Sequence, residues 1–465
     1  MNLDKLSKSE RIHFIGIGGA GMSAIAKVLI EMGYQVSGSD MKESRYTRAL
    51  TELGADISIS HHERNLKDAG LVVISSAIPE RNSELKWARS EKIPVLARAQ
   101  MLNEVCAKKD PTIAIAGTHG KTTTTSMTAL ILDRVGLDPT FLIGGELNDI
   151  GSNARNGSGG VCVVEADESD GSLIYLNPKY AVITNIDTDH LDHYDTFDQL
   201  MELFGDWLGA LPEDGKAIVM GDGSFAEMAA KSSGCEYITF GREETNDIYF
   251  SDPVFEDFAS EFTVHDREKG RKWRIKLNVP GEHNILNALA ALTVARSVQV
   301  DIGKASQVLS EFSGVKRRFQ LVGRSGEVSI IDDYAHHPTE VIATLEAARN
   351  GGWKRIICIF QPHRFSRTKL LHSQFGPAFA NADIIVMTDI YNAGELPVPG
   401  VTGKLLVDEV LSHQPHSRVA YIPNKLEIRD YVLSIVQPGD VVLTLGAGDI
   451  WSIGLDVFEY LRDVV

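Results

Sequence analysis

The residues best suited to chemistry in this chain lie in the stretch Ile113-Ala-Ile-Ala-Gly117-Thr118-His119-Gly120-Lys121-Thr122-Thr123-Thr124-Thr125. A β-branched run leads into a glycine turn, then a lysine, then four threonines. Such a turn lets successive backbone N–H groups converge on phosphate oxygens, the lysine adds a point charge, and the next hydroxyl can reach a magnesium ion. The spacing departs from the usual G-x-x-x-x-G-K-[ST] form, because Ile115 stands where the first glycine belongs. The expected ligand is a nucleoside triphosphate.

A second glycine turn, Gly16-Ile-Gly18-Gly19-Ala20-Gly21, follows an apolar run and opens a helical pattern that includes Met22 and Ser23. Asp40 trails it by about twenty residues, as in a dinucleotide fingerprint. The pattern asks for a pyrophosphate but does not name the cofactor, and a UDP-sugar fits as well as a nicotinamide dinucleotide.

Carboxylates and bases then gather where apolar runs end. Glu165-Ala-Asp167-Glu168-Ser169-Asp170 puts four acids after one run and suits a hard cation that wants oxygen. Thr184-Asn-Ile-Asp187-Thr-Asp189-His190-Leu-Asp192-His193-Tyr194 is compatible with a metal loop or a surface loop. Asp332-Asp333-Tyr334-Ala-His336-His337-Pro338 leads into a helix at the proline, where the histidines can cap it or meet a substrate carboxylate. Gln361-Pro-His363-Arg364-Phe-Ser366-Arg367 brings two arginines suited to bidentate carboxylate binding. Arg317-Arg318 adds a further basic pair.

The elements that position these groups alternate in an α/β pattern. Arg11–Ile17, Gln35–Ser39 and Leu71–Ser75 read as strands around a helix over Ala20–Met32, which is a βαβ beginning. Gly160–Glu165 and Tyr180–Thr184 read as strands of a second block, in which a strand-rich stretch from about Cys235 to Val279 suggests an antiparallel flap or a small extra sheet before a helix over Gly281–Val294. Glu327–Asp332, Arg355–Phe360, Asp383–Thr388, Arg418–Ile422 and Asp440–Leu445 predict a further doubly wound parallel sheet.

At 465 residues and 43% hydrophobic content the chain is long enough for several cores. A net charge of −17 argues against nucleic acid or an anionic membrane as the main partner. The four cysteines have no C-x-x-C spacing, and there is neither a signal peptide nor an apolar run able to span a bilayer, so a cytoplasmic location is expected.

Taken together, Gly16–Ser23, Gly117–Thr125, Glu165–Asp170, Thr184–Tyr194, Gly281-Glu-His283-Asn284-Ile-Leu-Asn287, Arg317–Gln320, Asp333–Glu340, Phe360–Thr368 and Thr444–Ile450 resemble the Mur ligase family of cell-wall peptide ligases. The resemblance implies three domains: residues 1–107 for a UDP-sugar, 108–315 for ATP, and 316–465 for an amino acid. It implies an ATP- and Mg²⁺-dependent ligase of peptidoglycan precursor synthesis that joins L-alanine to the lactyl carboxylate of UDP-N-acetylmuramate, as a monomer or homodimer.

By matching position, the resemblance puts Gly117, Thr118, His119, Gly120, Lys121, Thr122 and Thr123 on the nucleotide phosphates, and His283, Asn284 and Asn287 near adenine. Thr122, Glu165 and His190 would hold magnesium. Gly18, Gly19, Ala20, Gly21, Met22 and Ser23, with Asp40, Ser75 and Ser76, would hold the UDP-sugar. His336, Arg364 and Arg367 would orient substrate carboxylates, Tyr334 would border the alanine pocket, and Arg318 would reach the transferring phosphate. Lys121, Glu165, His190, Arg318, His336 and Arg364 are the expected catalytic set. Some relatives carry a carbamylated lysine at the metal site, but no lysine lies between Lys179 and Lys216 here, which argues against one.

Three rivals remain. A relative that joins a whole tripeptide shares most of the motifs. A nicotinamide oxidoreductase leaves Gly117–Thr125 unexplained, and a nucleotide-binding switch has no need of an arginine clamp.

Overall fold

The computed structural model describes all residues except 1, 2, 4, 5, 170, 189–193, 195, 257 and 465, and the backbone alone of 464. The chain forms two compact units. The first comprises residues 1–250, 264–273 and 286–309, and the second residues 251–263, 274–285 and 310–465.

The first sheet holds β1 (Arg11–Ile15), β2 (Gln35–Asp40), β3 (Asp56–Ile59), β4 (Ala69–Ile74) and β5 (Val95–Ala97) in the order β3-β2-β1-β4-β5. Every pairing is parallel. β1 stops at Ile15, two residues short of the sequence reading, because Gly16 turns the backbone at φ +81°. The helix Ala20–Glu31 buries Ala24, Ile25, Val28 and Leu29 against this sheet's core.

A carboxylate is sealed against this sheet by the helix Ser83–Ser90 that carries it. Glu84 is fully buried, accepts from Asn65 Nδ2 at 2.7 Å, is bonded by the Ser39 hydroxyl, and faces His61 at 3.2 Å and His13 at 3.7 Å. Burial alone would raise its pKa, but the hydrogen bonds from His13, Ser39 and Asn65 outweigh that and hold it at about 2, against 4.5 ordinarily. A depressed acid pKa stabilises the fold above the unfolded value, and that stability is lost as pH falls from about 4.5 towards 2. Glu84→Gln is therefore expected to lose about 2–3 kcal/mol at pH 7 and to flatten the acid limb of a urea-melt series over that window. An unchanged limb would contradict this assignment.

The central sheet has ten strands: β6 (Thr112–Ala116), β7 (Thr140–Leu147), β8 (Ser152–Arg155), β9 (Cys162–Glu165), β10 (Tyr180–Ile183), β11 (Lys216–Met220), β12 (Tyr237–Gly241), β13 (Ile248–Glu256), β14 (Ala259–Asp266) and β15 (Arg271–Leu277). Their order is β15-β14-β13-β12-β11-β10-β6-β9-β7-β8. β6 is buried along its whole length between parallel neighbours β9 and β10, which is why it reads as an unbroken apolar run. Among the described residues this stretch forms no sheet of its own. β12 and β13 pair in parallel, so the strand-rich stretch prolongs the central sheet.

The third sheet is built from β16 (Gln320–Ser325), β17 (Val328–Asp333), β18 (Arg355–Phe360), β19 (Ile384–Met387), β20 (Arg418–Tyr421) and β21 (Asp440–Leu445), ordered β16-β17-β21-β18-β19-β20. It is mixed where the sequence reading expected a wholly parallel sheet. β16 runs antiparallel to β17 because only a tight turn, with Gly326 at φ +55°, separates them, and a parallel pair needs a long crossover. The other pairings are parallel, and residues 329–333 face 441–445 in register, so their C-terminal ends open together. No helix among the described residues is long and apolar enough to cross a membrane.

Candidate active site

In the first unit the turn after β6 is locked by the chain beyond β10. Thr118 N donates to Asn185 O at 3.0 Å, His119 N to Asn185 Oδ1 at 2.9 Å, and the Thr184 hydroxyl to His119 O at 2.6 Å. Gly117 has φ +121°, and a Cβ there would lie 2.3 Å from Thr184 Oγ1. Gly120, at φ +80°, precedes the helix Lys121–Arg134, and a Cβ there would lie 2.3 Å from Asn287 Oδ1. Only glycine satisfies either position. Asn287 also accepts from Thr124 Oγ1 at 3.2 Å, so of the three expected adenine residues this one stands beside the Gly117–Gly120 turn.

Lys121 Nζ donates to Gly117 O at 2.5 Å, to Thr118 O at 3.2 Å, and to both oxygens of Glu168 at 2.7 and 3.0 Å. Burial alone would lower its pKa, but Glu168, Asp167 and Glu165 more than offset this and raise it, so the ammonium stays charged. Glu168 is fully buried. It lay within the acidic run that the sequence offered, yet nothing in the spacing marked it as the lysine's partner rather than a metal ligand.

Glu165, at the end of β9, accepts from Thr122 Oγ1 at 3.1 Å and from Gly144 N at 2.8 Å. A hydroxyl and a carboxylate are thus side by side at the helix start. His190, the third expected metal ligand, lies outside the described residues. Thr123 is buried within the helix.

The first glycine turn opens on a cavity of about 700 Å³ lined by Gly18, Asp40, Ser75, Arg98, Lys121 and Glu165 among others. Gly19 heads the helix Ala20–Glu31 with no side-chain cap. Ser76 and Gly21 also line the cavity. Asp40 Oδ2 accepts from Gly18 N at 2.8 Å, so one oxygen of the acid braces the turn itself. Ser23 is turned inward, its hydroxyl donating to Ala20 O at 3.0 Å. Arg98, which the sequence reading did not single out, reaches Asp167 Oδ2 at 3.3 Å; only the fold brings it to the cavity.

In the second unit the loops after β17 and β18 carry the remaining candidates. The two neighbouring histidines separate in role. His337 caps the helix Pro338–Asn350, accepting from Thr339 N at 3.3 Å. His336 has its Nδ1 3.0 Å from Tyr334 O and 3.3 Å from Glu340 Oε2, with its ring 5.5 Å from that of His363. Tyr334 lies under both guanidinium groups, Arg317 at 5.0 Å and Arg318 at 5.2 Å from its ring. Arg318 also faces Glu340 at 3.6 Å. Arg317 is tied down structurally, its Nε donating to Asp332 at 2.9 Å.

Arg367 Nη1 stands 3.4 Å from His363 Nδ1. Burial, then His336, Arg367 and Arg364, push His363 down to about 3, so its ring is neutral among the cations. Burial, then Arg318, lowers His283 to about 4. Asn284 beside it donates to Pro280 O at 2.7 Å. Asp333 is pushed up to about 6 by burial, against the pull of Arg318 and the N–H groups of Ala335 and Phe319.

Residues 11–110 match the model described as "Mur ligase family, catalytic domain", 115–295 the "Mur ligase middle domain", and 317–448 the "Mur ligase, glutamate ligase domain". The chain is 45% identical over 460 residues to a UDP-N-acetylmuramate--L-alanine ligase of Desulforamulus reducens, covering 98% of this chain and 99% of that one. It is similar to the crystal structure of a UDP-N-acetylmuramate-alanine ligase from Thermotoga maritima at 30% identity and a TM-score of 0.82, over 98% of this chain and all of the other. A murein peptide ligase from Psychrobacter arcticus shares the fold at 23% identity and a TM-score of 0.72, covering 98% of this chain and 100% of that chain.

Proposed function

The chain belongs to the Mur ligase family, and from its 45% identity over 460 residues to a UDP-N-acetylmuramate--L-alanine ligase we infer that it is an ATP-dependent ligase joining L-alanine to the lactyl carboxylate of UDP-N-acetylmuramate, the first peptide-adding step of peptidoglycan precursor synthesis. The observation that carries the chemistry is that one cavity is lined both by the first glycine turn and by Lys121 and Glu165. A UDP-sugar anchored at the turn thereby has its reactive end at the phosphate-transfer groups.

We divide the labour as residues 1–107 for the UDP-sugar, 108–315 for ATP and 316–465 for alanine, and place the reaction in the cytoplasm. In this reading a lactyl carboxylate oxygen attacks the γ-phosphorus of ATP, and the bond to ADP breaks to leave an acyl phosphate. The amine of alanine then adds to the acyl carbon. The resulting tetrahedral centre expels phosphate and loses the amine proton to give the amide.

Lys121 places its charge beside the phosphates at the end of a turn whose Thr118 and His119 N–H groups are spent on Asn185 and so fix its shape, and positioning and charge neutralisation do most of the work. The hydroxyl of Thr122 and the carboxylate of Glu165, 3.1 Å apart, are hard oxygen donors of the kind Mg²⁺ takes, so this pair fits that ion; the family resemblance alone adds His190 as the third ligand. Bound there, Mg²⁺ would draw charge from the phosphate oxygens. Arg364 and Arg367 would clamp the alanine carboxylate, Tyr334 and His336 would wall its pocket, and Arg318 would meet the transferring phosphate. His283, Asn284 and Asn287 would receive the adenine.

Phosphate release with ATP, Mg²⁺ and UDP-N-acetylmuramate tests the reading. Turnover is expected with L-alanine alone; turnover only with the cell-wall tripeptide would assign the tripeptide-joining relative's reaction instead, and silence with both would overturn the ligase reading.

A further inference from the structure

Arg364 has a backbone conformation that an arginine rarely adopts, φ +67° and ψ 140°. Such a conformation is costly and persists only where its surroundings enforce it. The enforcing groups are on the segment after β19. Arg364 N donates to Tyr391 O at 2.9 Å, and Tyr391 N donates to Pro362 O at 2.8 Å, so Tyr391 grips the loop on both sides of His363. The His363 and Tyr391 rings stack, with centroids 5.8 Å apart and planes 10° from parallel.

Two further features press the grip home. Glu395 accepts from Ser366 N at 3.0 Å and Ser366 Oγ at 2.6 Å, tying the same segment to the start of the following helix. Gly448, beyond β21, leaves space for the Tyr391 ring: a Cβ there would lie 2.7 Å from the ring's Cγ and 2.3 Å from Gln361 Oε1.

We propose that Tyr391 is a positioning residue for amino-acid binding: through His363 it holds Arg364 in this conformation and so fixes where the guanidinium meets the substrate carboxylate. The proposal rests on the amino-acid-binding reading of Arg364 above. Tyr391 carries no charge and needs no bond to substrate; the stacked ring is what it supplies, so phenylalanine serves as well.

Steady-state kinetics of the full chain separate this from a general structural role. Tyr391→Ala is expected to raise the KM for L-alanine about tenfold, with the KM for ATP within about twofold of the parent; Tyr391→Phe should leave both within about twofold. Gly448→Ala, which crowds the ring without altering Tyr391, should give the same selective rise and keeps the test decisive if the first variant folds poorly. A Tyr391→Ala enzyme with an unchanged alanine KM, an equal rise in both KM values, or a phenylalanine variant as impaired as alanine would each overturn the proposal. Failure of the parent itself to use alanine would instead count against the ligase reading.

Discussion

Lys121→Met is expected to lower alanine-dependent phosphate release at least about 10³-fold, because in the proposed mechanism the charge it removes is the one that stands beside the γ-phosphate. The substitution also strands Glu168, a fully buried carboxylate that Lys121 Nζ bonds at 2.7 and 3.0 Å. Leaving one partner of a buried ion pair costs about 3–5 kcal/mol, so lost activity alone could reflect lost fold. Lys121→Met/Glu168→Gln removes both charges. The double variant should regain most of the lost stability in urea melts and none of the lost activity. Recovery of turnover in the double variant would show that Lys121 acts as a buried counter-charge rather than on phosphate.

Glu165→Gln is expected to lower kcat about 10²–10³-fold and to move the Mg²⁺ requirement to higher concentration. The carboxylate takes Gly144 N on Oε2 at 2.8 Å and the Thr122 hydroxyl on Oε1 at 3.1 Å; a glutamine keeps its carbonyl oxygen on Gly144 N and donates its amide to the Thr122 oxygen, so both contacts have a neutral replacement. What disappears is the anionic donor. Titrating activity against Mg²⁺ at saturating ATP separates the two effects, and a variant whose Mg²⁺ curve overlays the parent's would remove Glu165 from the metal site.

The strands that carry the chemistry were legible because fully buried parallel strands read as unbroken apolar runs. Arg355–Phe360 and Asp440–Leu445 fall where the sequence put them. Glycine placed the phosphate turns, since Gly117 and Gly120 need conformations and clearances that other residues lack. Pairing direction was less legible: β16 joins the third sheet antiparallel because of a turn shorter than any crossover, and the strands after β12 prolong the central sheet.

Within the site, the chain's local text named groups but not partners. Glu168 and Glu165 stand three positions apart in one acidic run, yet one holds the lysine and the other the Thr122 hydroxyl. Arg98 and Tyr391 reach their positions only through contacts between elements distant in sequence, so no motif announces them. His336 and His337 are equivalent as text and differ once the helix at Pro338 takes the second as its cap.

The most direct measurement follows oxygen. UDP-N-acetylmuramate labelled with ¹⁸O in its lactyl carboxylate, turned over with ATP, Mg²⁺ and L-alanine, should deliver one labelled oxygen into each phosphate released, with one amide formed per phosphate. Unlabelled phosphate, or phosphate without amide, would contradict ligation through an acyl phosphate.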